Sequence, residues 1–335
     1  MTSSTDGRIG ALDIASVVAI VLIWSLFLVL GRIGLKSSFT PWDLAFLRFG
    51  FAAAVTLPLF LLRPPGHRMG TLTPLRALTV ALTAGLLFSC LAYIGFSYAP
   101  AAHGGVLMTG TLPFWVALVA WYGLGDRINR RKLGSLLLIL LGVMFVGWHS
   151  FSQTAASASA TPDAWRGDIL FPLASASWAV FVVLVRRWRV AALDATLATT
   201  LISFVLYTPV YLLWLPKQIM TAPWLEIVWQ GVFQGILALT VSMWLYTRVV
   251  QAFGPSRTTM MTAVCPALAA LSAVPLLGEP LSALVLLGLA ATTAGMVLGV
   301  TGGAAPAAVA PVSAASAAPP PSTQPAAPPS TQPVV

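Results

Sequence analysis

Charge is what this chain has least of. Charged residues occupy 8% of its 335 positions and hydrophobic ones 58%. A soluble protein of that composition would expose large apolar patches and aggregate, so lipid is the solvent the composition implies. Histidine is almost as scarce: His67, His103 and His149 stand in three different joints or span ends. The two cysteines, Cys90 and Cys265, each sit inside an apolar run, where cysteine acts as a small hydrophobe and neither a disulfide nor a metal site is indicated. CxxC, HExxH, GxSxG and Walker patterns are missing. With no nucleophile, base or metal cluster at one depth, the sequence argues against an enzyme and gives no reason to expect a cofactor. The net charge of +9 is scattered between apolar runs and forms no basic face, which excludes nucleic acid as a partner.

Long apolar runs are what the chain does have. A span needs about 20 apolar residues to cross a hydrocarbon core of about 30 Å. Ten runs meet this, near 11–31, 43–62, 73–97, 102–123, 133–149, 167–185, 195–214, 224–250, 256–277 and 282–301. Proline or charge marks the joints, as at Pro41, Pro64-Pro65, Pro100, Pro162, Arg186–Arg189, Pro216, Pro255 and Pro280. Each run is expected to be a helix, the one form in which a single lipid-embedded segment satisfies its own backbone. The run from Ile14 to Leu30 is too long, and its leader too weakly charged, for a cleaved signal peptide, so it reads as a retained span. With the N-terminus in the cytoplasm, thirteen basic residues fall on that side, against Arg32, Lys36, Arg166 and Lys217 outside. The positive-inside bias therefore places both termini of a multi-pass membrane protein in the cytoplasm.

The chain also repeats itself. Tyr93, Thr109, Pro113, Gly125, Asp126 and Gly142 recur 153 positions on (93 to 246) as Tyr246, Thr262, Pro266, Gly278, Glu279 and Gly295. Trp24, Arg32 and Gly134 recur at 154 (24 to 178) as Trp178, Arg186 and Gly288. Such a unit holds five spans, and an odd number forces the second copy to enter the membrane upside down, as in secondary transporters. The expected organisation is a five-helix repeat at 1–149, an outer linker at 150–166, a second repeat at 167–301 and an uncharged Ala/Pro/Ser tail at 302–335, too poor in packing residues to fold.

These repeats close on LPFWVALVAWYGLGDRINRRKLGSLLLILLGVMFV and CPALAALSAVPLLGEPLSALVLLGLAATTAGMVLGV. With WSLFLVLGRIGLK, LAFLRFGFAAAV and SWAVFVVLVRR, they resemble the EamA-type members of the drug/metabolite transporter superfamily over about residues 11–301. Asp126 stands where that family usually has glutamate, and Arg32 where lysine is usual. The resemblance implies an all-α membrane protein of ten helices in two inverted five-helix repeats that exports small metabolites, amino acids or drugs.

Several polar and aromatic residues are candidates to line its pathway. Arg48, a turn and a half into the second run, either faces a cavity, carboxylate or anionic solute, or snorkels outward near Asp43. Trp24 and Trp178 offer flat apolar walls with one donor each. Ser89 and Tyr93 share a helix face by their i, i+4 spacing, as do Ser242 and Tyr246, and either pack between helices or line the cavity. Gln230 and Gln234 must face protein or a water-filled cavity, because an amide in lipid is costly, and are read as cavity lining, with an interfacial place for Gln230 beside Trp224 and Trp229 as the alternative. Pro113 and Pro266 are expected to free a carbonyl and bend their helices, with Asp126 and Glu279 as loop anchors. No acidic residue falls in mid-span, so a coupling proton would use Asp13, His103 or a tyrosine; otherwise the carrier is a facilitator or exchanger. Partners are then membrane lipid, a small-molecule substrate and either a coupling proton or an exchange solute. Two other readings differ in kind: a carrier or flippase for a sugar-phosphate or lipid-linked substrate, which predicts several basic groups in the cavity, and a non-transporting sensor or assembly partner working through its tail.

Overall fold

The computed structural model describes residues 11–125, 128–156, 163–262, 264–278 and 281–301. Asp126, Glu279, much of the expected linker and the whole 302–335 tail lie outside the described residues. The described residues, between 11 and 301, form one compact unit. Among the described residues every regular element is helical, and the arrangement is that of ten membrane helices in two inverted repeats of five.

We label the helices α1 (Ala11–Ser37), α2 (Pro41–Leu61), α3 (Pro74–Tyr98), α4 (Ala101–Leu124) and α5 (Arg130–Ala156) in the first repeat. The second comprises α6 (Ala164–Trp188), α7 (Ala192–Trp214), α8 (Trp224–Phe253), α9 and α10 (Ala283–Thr301). Eight are long and apolar enough to span a membrane unaided. α9 is broken into Pro255–Met261 and Cys265–Leu277, which is why its apolar run is longer than either helical piece. Helix also occupies both ends of the segment expected as a linker, since α5 continues to Ala156 and α6 begins at Ala164.

Local chemistry sets the ends. Thr40 caps α2 through a capping box with Asp43, with Pro41 in the first turn, where its missing N–H costs nothing. Gly125 and Gly278, a repeat-related pair, end α4 and α9 in the left-handed conformation, with φ of 71° and 65°, which glycine adopts without steric penalty. α3, α4, α7 and α8 each contain a π-helical stretch, the longest being Val232–Val241 in α8. Such wide turns recur at functional sites.

α4 and α9 break at corresponding places. In α4 a turn at Gly110–Thr111 precedes the second segment; in α9 the break falls just after Met261. Pro113 and Pro266 lie in the first turn of the segments that follow. The expected bends are thus interruptions, and the prolines start new segments instead of kinking continuous ones. Threonine hydroxyls take up carbonyls near each break: Thr109 donates to Gly105 O (2.6 Å), Thr111 to Leu107 O (2.7 Å) and Thr262 to Thr259 O (2.8 Å). This local bonding lets irregular backbone persist at membrane depth.

α5 and α10 close the bundle through their glycines. A Cβ on Gly142 would meet Thr292 Oγ1 at 2.2 Å and Gly288 O at 2.5 Å; one on Gly295 would meet Ser135 O at 2.8 Å. Ser135 Oγ donates to Gly295 O at 2.7 Å. Close backbone approach through small residues is how helices associate where lipid removes the hydrophobic drive.

Candidate functional site

The repeat-related indoles meet at the centre of the bundle. Trp24 and Trp178 pack edge to face with centroids 5.6 Å apart at 85°, and Tyr246 lies 4.9 Å from Trp24. Trp24 Nε1 donates to Ser242 Oγ at 3.3 Å. Phe88 closes on Trp178 at 4.9 Å, and Phe27 stacks against Phe88 at 6.1 Å.

These rings wall a cavity. α1 contributes Trp24 and Phe27, α2 Arg48 and α3 Phe88. α4 adds Met108, Thr109 and Leu112 on either side of its break, α6 adds Ser175 and Trp178, and Ala238 closes it from α8. Its volume is about 30 Å³. On the measure by which one water needs about 10–15 Å³, that is room for about two or three waters and not for a metabolite. The conformation is therefore closed around the site, and a solute enters only when the walls part.

Arg48 is buried, with 2% of its surface exposed, so it does not snorkel. Asp43 is not its partner either. That carboxylate is fully enclosed, accepting from Tyr211 OH (2.5 Å) on one oxygen and from Thr40 N, Thr40 Oγ1 and Gln218 N (2.8, 2.8 and 3.0 Å) on the other. Arg48 instead donates to two main-chain carbonyls in the π-helical stretch of α8, Gln234 O at 3.3 Å and Ala238 O at 3.2 Å, and lies 5.0 Å over the Phe27 ring. Its Nε has no hydrogen-bond partner. Ser175 Oγ, also on the cavity wall, is buried and equally unsatisfied, and the Trp178 ring packs against Tyr246 with centroids 5.8 Å apart. The guanidinium N–H can only donate, so the complementary atom is an acceptor.

The remaining candidates stand behind the wall. Tyr93 OH donates to Gln234 Oε1 (3.0 Å), Gln234 Nε2 to Gln230 Oε1 (3.2 Å), and Gln230 Nε2 to Leu30 O (2.9 Å). This chain of bonds ties α3 and α8 to α1 directly behind Arg48. The glutamines thus face protein and not the cavity. Ser242 and Tyr246 back Trp24, and the Ser89 hydroxyl is buried without a partner next to Phe88. Pro113 and Pro266 begin the second segments of α4 and α9; Asp126 and Glu279 lie outside the described residues. Among the described residues no group of three or more His, Cys, Asp or Glu is placed to hold a metal.

Sequence reasoning missed Phe27, Phe88, Met108, Thr109, Leu112, Ser175 and Ala238. Five are apolar and carry no mark that separates a cavity wall from a lipid-facing surface. Thr109 did carry a signal, since it recurs as Thr262.

Comparison with known proteins agrees with this architecture. The model of the EamA-like transporter family matches residues 12–148 and again 165–301. An uncharacterized transporter of Bacillus subtilis (strain 168), YetK, is 26% identical over 258 residues, 75% of each chain. A second from the same organism, YyaM, is 26% identical over 152 residues, 45% of this chain and 48% of its own. A crystal structure 18% identical in sequence superposes with a TM-score of 0.58 over 86% of this chain and 97% of its own, a likeness of fold.

Proposed function

The chain belongs to the EamA-like transporter family, and from that premise we propose that this membrane transporter exports small amphipathic solutes bearing a carboxylate, amino acids or acidic drugs among them, by alternating access across the inner membrane with both termini in the cytoplasm. One observation carries the substrate class. Arg48 Nε is a buried donor without a hydrogen-bond partner, beside the unsatisfied Ser175 hydroxyl, and among the described residues no carboxylate is paired with the guanidinium. A solute carboxylate supplies both the charge and the acceptors, while the surrounding indole and phenyl rings take an apolar body. A sugar-phosphate or lipid-linked pyrophosphate, with more charge, calls for more than one cation, and Arg48 is the only cation among the lining residues. The working halves on this reading are 1–149 and 167–301, with the 150–166 linker and the 302–335 tail dispensable for transport.

Counterflow tests it. Proteoliposomes preloaded with amino acids, nucleosides and small organic acids are diluted into solute-free buffer, and efflux is read by mass spectrometry. Selective loss of carboxylate-bearing solutes is the expected result. Loss confined to cations or neutral nucleosides overturns the substrate class, and no loss of any solute from folded protein overturns the export reading.

A further inference from the structure

A second polar cluster lies outside the central cavity, at the end of the bundle where α5 leads into α6. His103, in the first turn of α4, has its Nδ1 2.9 Å from Asp168 Oδ1 on α6. The His103 side chain is buried and that of Asp168 nearly so, 5% and 10% exposed. The His149 ring of α5 lies 6.0 Å from His103, and Ser282 Oγ before α10 is 3.3 Å from His149 Nδ1. Asp168 Oδ2 is buried with no hydrogen-bond partner. The same carboxylate lines a cavity of about 430 Å³ with Leu107, Val143, Gly147, Trp165 and Ile169, which opens where Trp165 and Ile169 are exposed.

We propose that the His103–Asp168 pair is a proton-binding site that couples solute movement to a proton gradient, a proposal that rests on the transporter reading above. With the imidazole neutral the pair holds one buried negative charge; with the imidazole protonated the charges cancel. An uncompensated charge at this depth is costly, and a neutralised pair is much less so. Protonation therefore biases whether α4 and α6 stay locked together or separate; the proton is taken up at this end of the bundle and, in a coupled cycle, leaves toward the opposite face of the membrane once the two helices have parted.

The position of the pair gives that event a direct route to the solute. α4 carries His103 and then, across its π-helical stretch, Met108, Thr109 and Leu112; α6 carries Asp168 and then Ser175 and Trp178. These five residues make half of the central cavity's lining. Asp168 and Ser175 are two turns apart on one face, about 10 Å along the axis. The pair thus joins two of the six helices that line the closed cavity.

Among the described residues several groups face it. From α5 comes His149, from the joint before α10 the hydroxyl of Ser282, and from α6 itself Arg166, which is exposed, pairs with Asp163 at 3.1 Å and lies over the Tyr98 ring of α3. Arg32 of α1 is bonded to Phe96 O. Glu279, three positions before Ser282, lies outside the described residues.

Two measurements on the full-length protein test the proposal separately from the transporter reading. The chain has three histidines, so ¹⁵N-histidine labelling in lipid nanodiscs gives a spectrum in which His103→Asn and His149→Asn identify the signals. The expected result is that the His103 signals change with pH and that Asp168→Asn alters that change. A His103 signal that is unchanged by Asp168→Asn overturns the site, whether or not any solute has been found. In proteoliposomes holding a transported solute, an imposed pH gradient is expected to accelerate wild-type movement at least tenfold. Asp168→Asn and His103→Asn are expected to lose that acceleration yet keep counterflow at equal pH. Gradient-driven movement that survives Asp168→Asn, or wild-type movement indifferent to the gradient, overturns the coupling; absence of counterflow from wild type overturns the transporter reading, while the histidine spectra still decide whether the pair binds a proton.

Discussion

Arg48→Met separates a structural arginine from a working one, because the two roles predict opposite combinations of stability and transport. The side chain makes two bonds to carbonyls and one cation–π contact. Hydrogen bonds from a charged donor contribute about 1.5–3 kcal/mol each, and the ring contact about 0.5–2 kcal/mol. Against this stands the desolvation of a guanidinium with no counter-ion, several kcal/mol in a protein interior and about 2.5–3.5 kcal/mol on the membrane-insertion scale. The terms nearly cancel. Methionine fills most of the volume, lies well against Phe27 and leaves two main-chain carbonyls that already bond within their helix, so the folded state should change by no more than about 1–2 kcal/mol.

Transport is expected to change much more. A solute carboxylate that loses its one charge-assisted partner loses about 1.5–3 kcal/mol, or roughly a 10- to 100-fold rise in the concentration giving half-maximal counterflow. Arg48→Lys keeps the charge without the planar fork and should fall between the two. Thermal unfolding of the purified protein and the concentration dependence of counterflow are the paired assays. A variant destabilised by more than about 3 kcal/mol would show that the arginine chiefly holds α2 to α8; a stable variant with wild-type handling of every acidic solute would remove the anion site altogether.

Two further substitutions probe the scaffold. Gly142→Ala forces a Cβ into Thr292 Oγ1 and the Gly288 carbonyl and should cost about 2 kcal/mol or more by overpacking; Gly134→Ala on the same helix, whose Cβ finds its nearest neighbour at 4.0 Å, should be neutral or gain up to about 1 kcal/mol, and equal melting temperatures for the pair would refute the glycine crossing. Asp43→Asn turns an amide toward donors that both carboxylate oxygens now accept, and should cost about 2–4 kcal/mol through the lost cap and a stranded donor, an expectation that an unshifted denaturation midpoint would defeat.

The spans, the two repeats and the meeting of Trp24 with Trp178 could be read from the sequence because each leaves a local mark: apolar length, periodic recurrence, or a large residue at a related position. Arg48 was readable only as a cost in need of a partner. Whether that partner was Asp43, five positions away, or Gln234, 186 positions away, depended on which helix lies opposite. The glutamines show the same limit from the other side. An amide pair in lipid must be satisfied, which the sequence conveys, but it is satisfied by Tyr93 and by Leu30 O across helix interfaces, and so it braces the wall instead of forming it. The break in α9 was hidden for a further reason: apolar composition continues through it, and the backbone there is stabilised by threonine hydroxyls, which look polar but otherwise ordinary in sequence.

The inverted repeats also say what the other conformation should look like. Of the residues around the central cavity, Met108, Thr109 and Leu112 come from the break in α4, and none comes from the break in α9. Their partners at a spacing of 153 (108 to 261) are Met261, Thr262 and Cys265, and the methionine and threonine are identical. At present Cys265 is shut against α1: its carbonyl accepts from Ser25 Oγ at 3.3 Å, its thiol bonds Val21 O at 3.6 Å, and it has no exposed surface. If the halves exchange roles when access alternates, the α9 break takes the place of the α4 break and Cys265 comes to the cavity wall. In a Cys90→Ala background Cys265 is then the single thiol, and a buried thiol is inert to alkylation. A membrane-permeant maleimide should modify it slowly in the closed state and at least tenfold faster when a gradient of transported solute holds the cavity open on the opposite side. A labelling rate indifferent to the direction of the gradient, in protein that still exchanges solute, would show that the two breaks do not trade places and that only the α4 side forms the pathway.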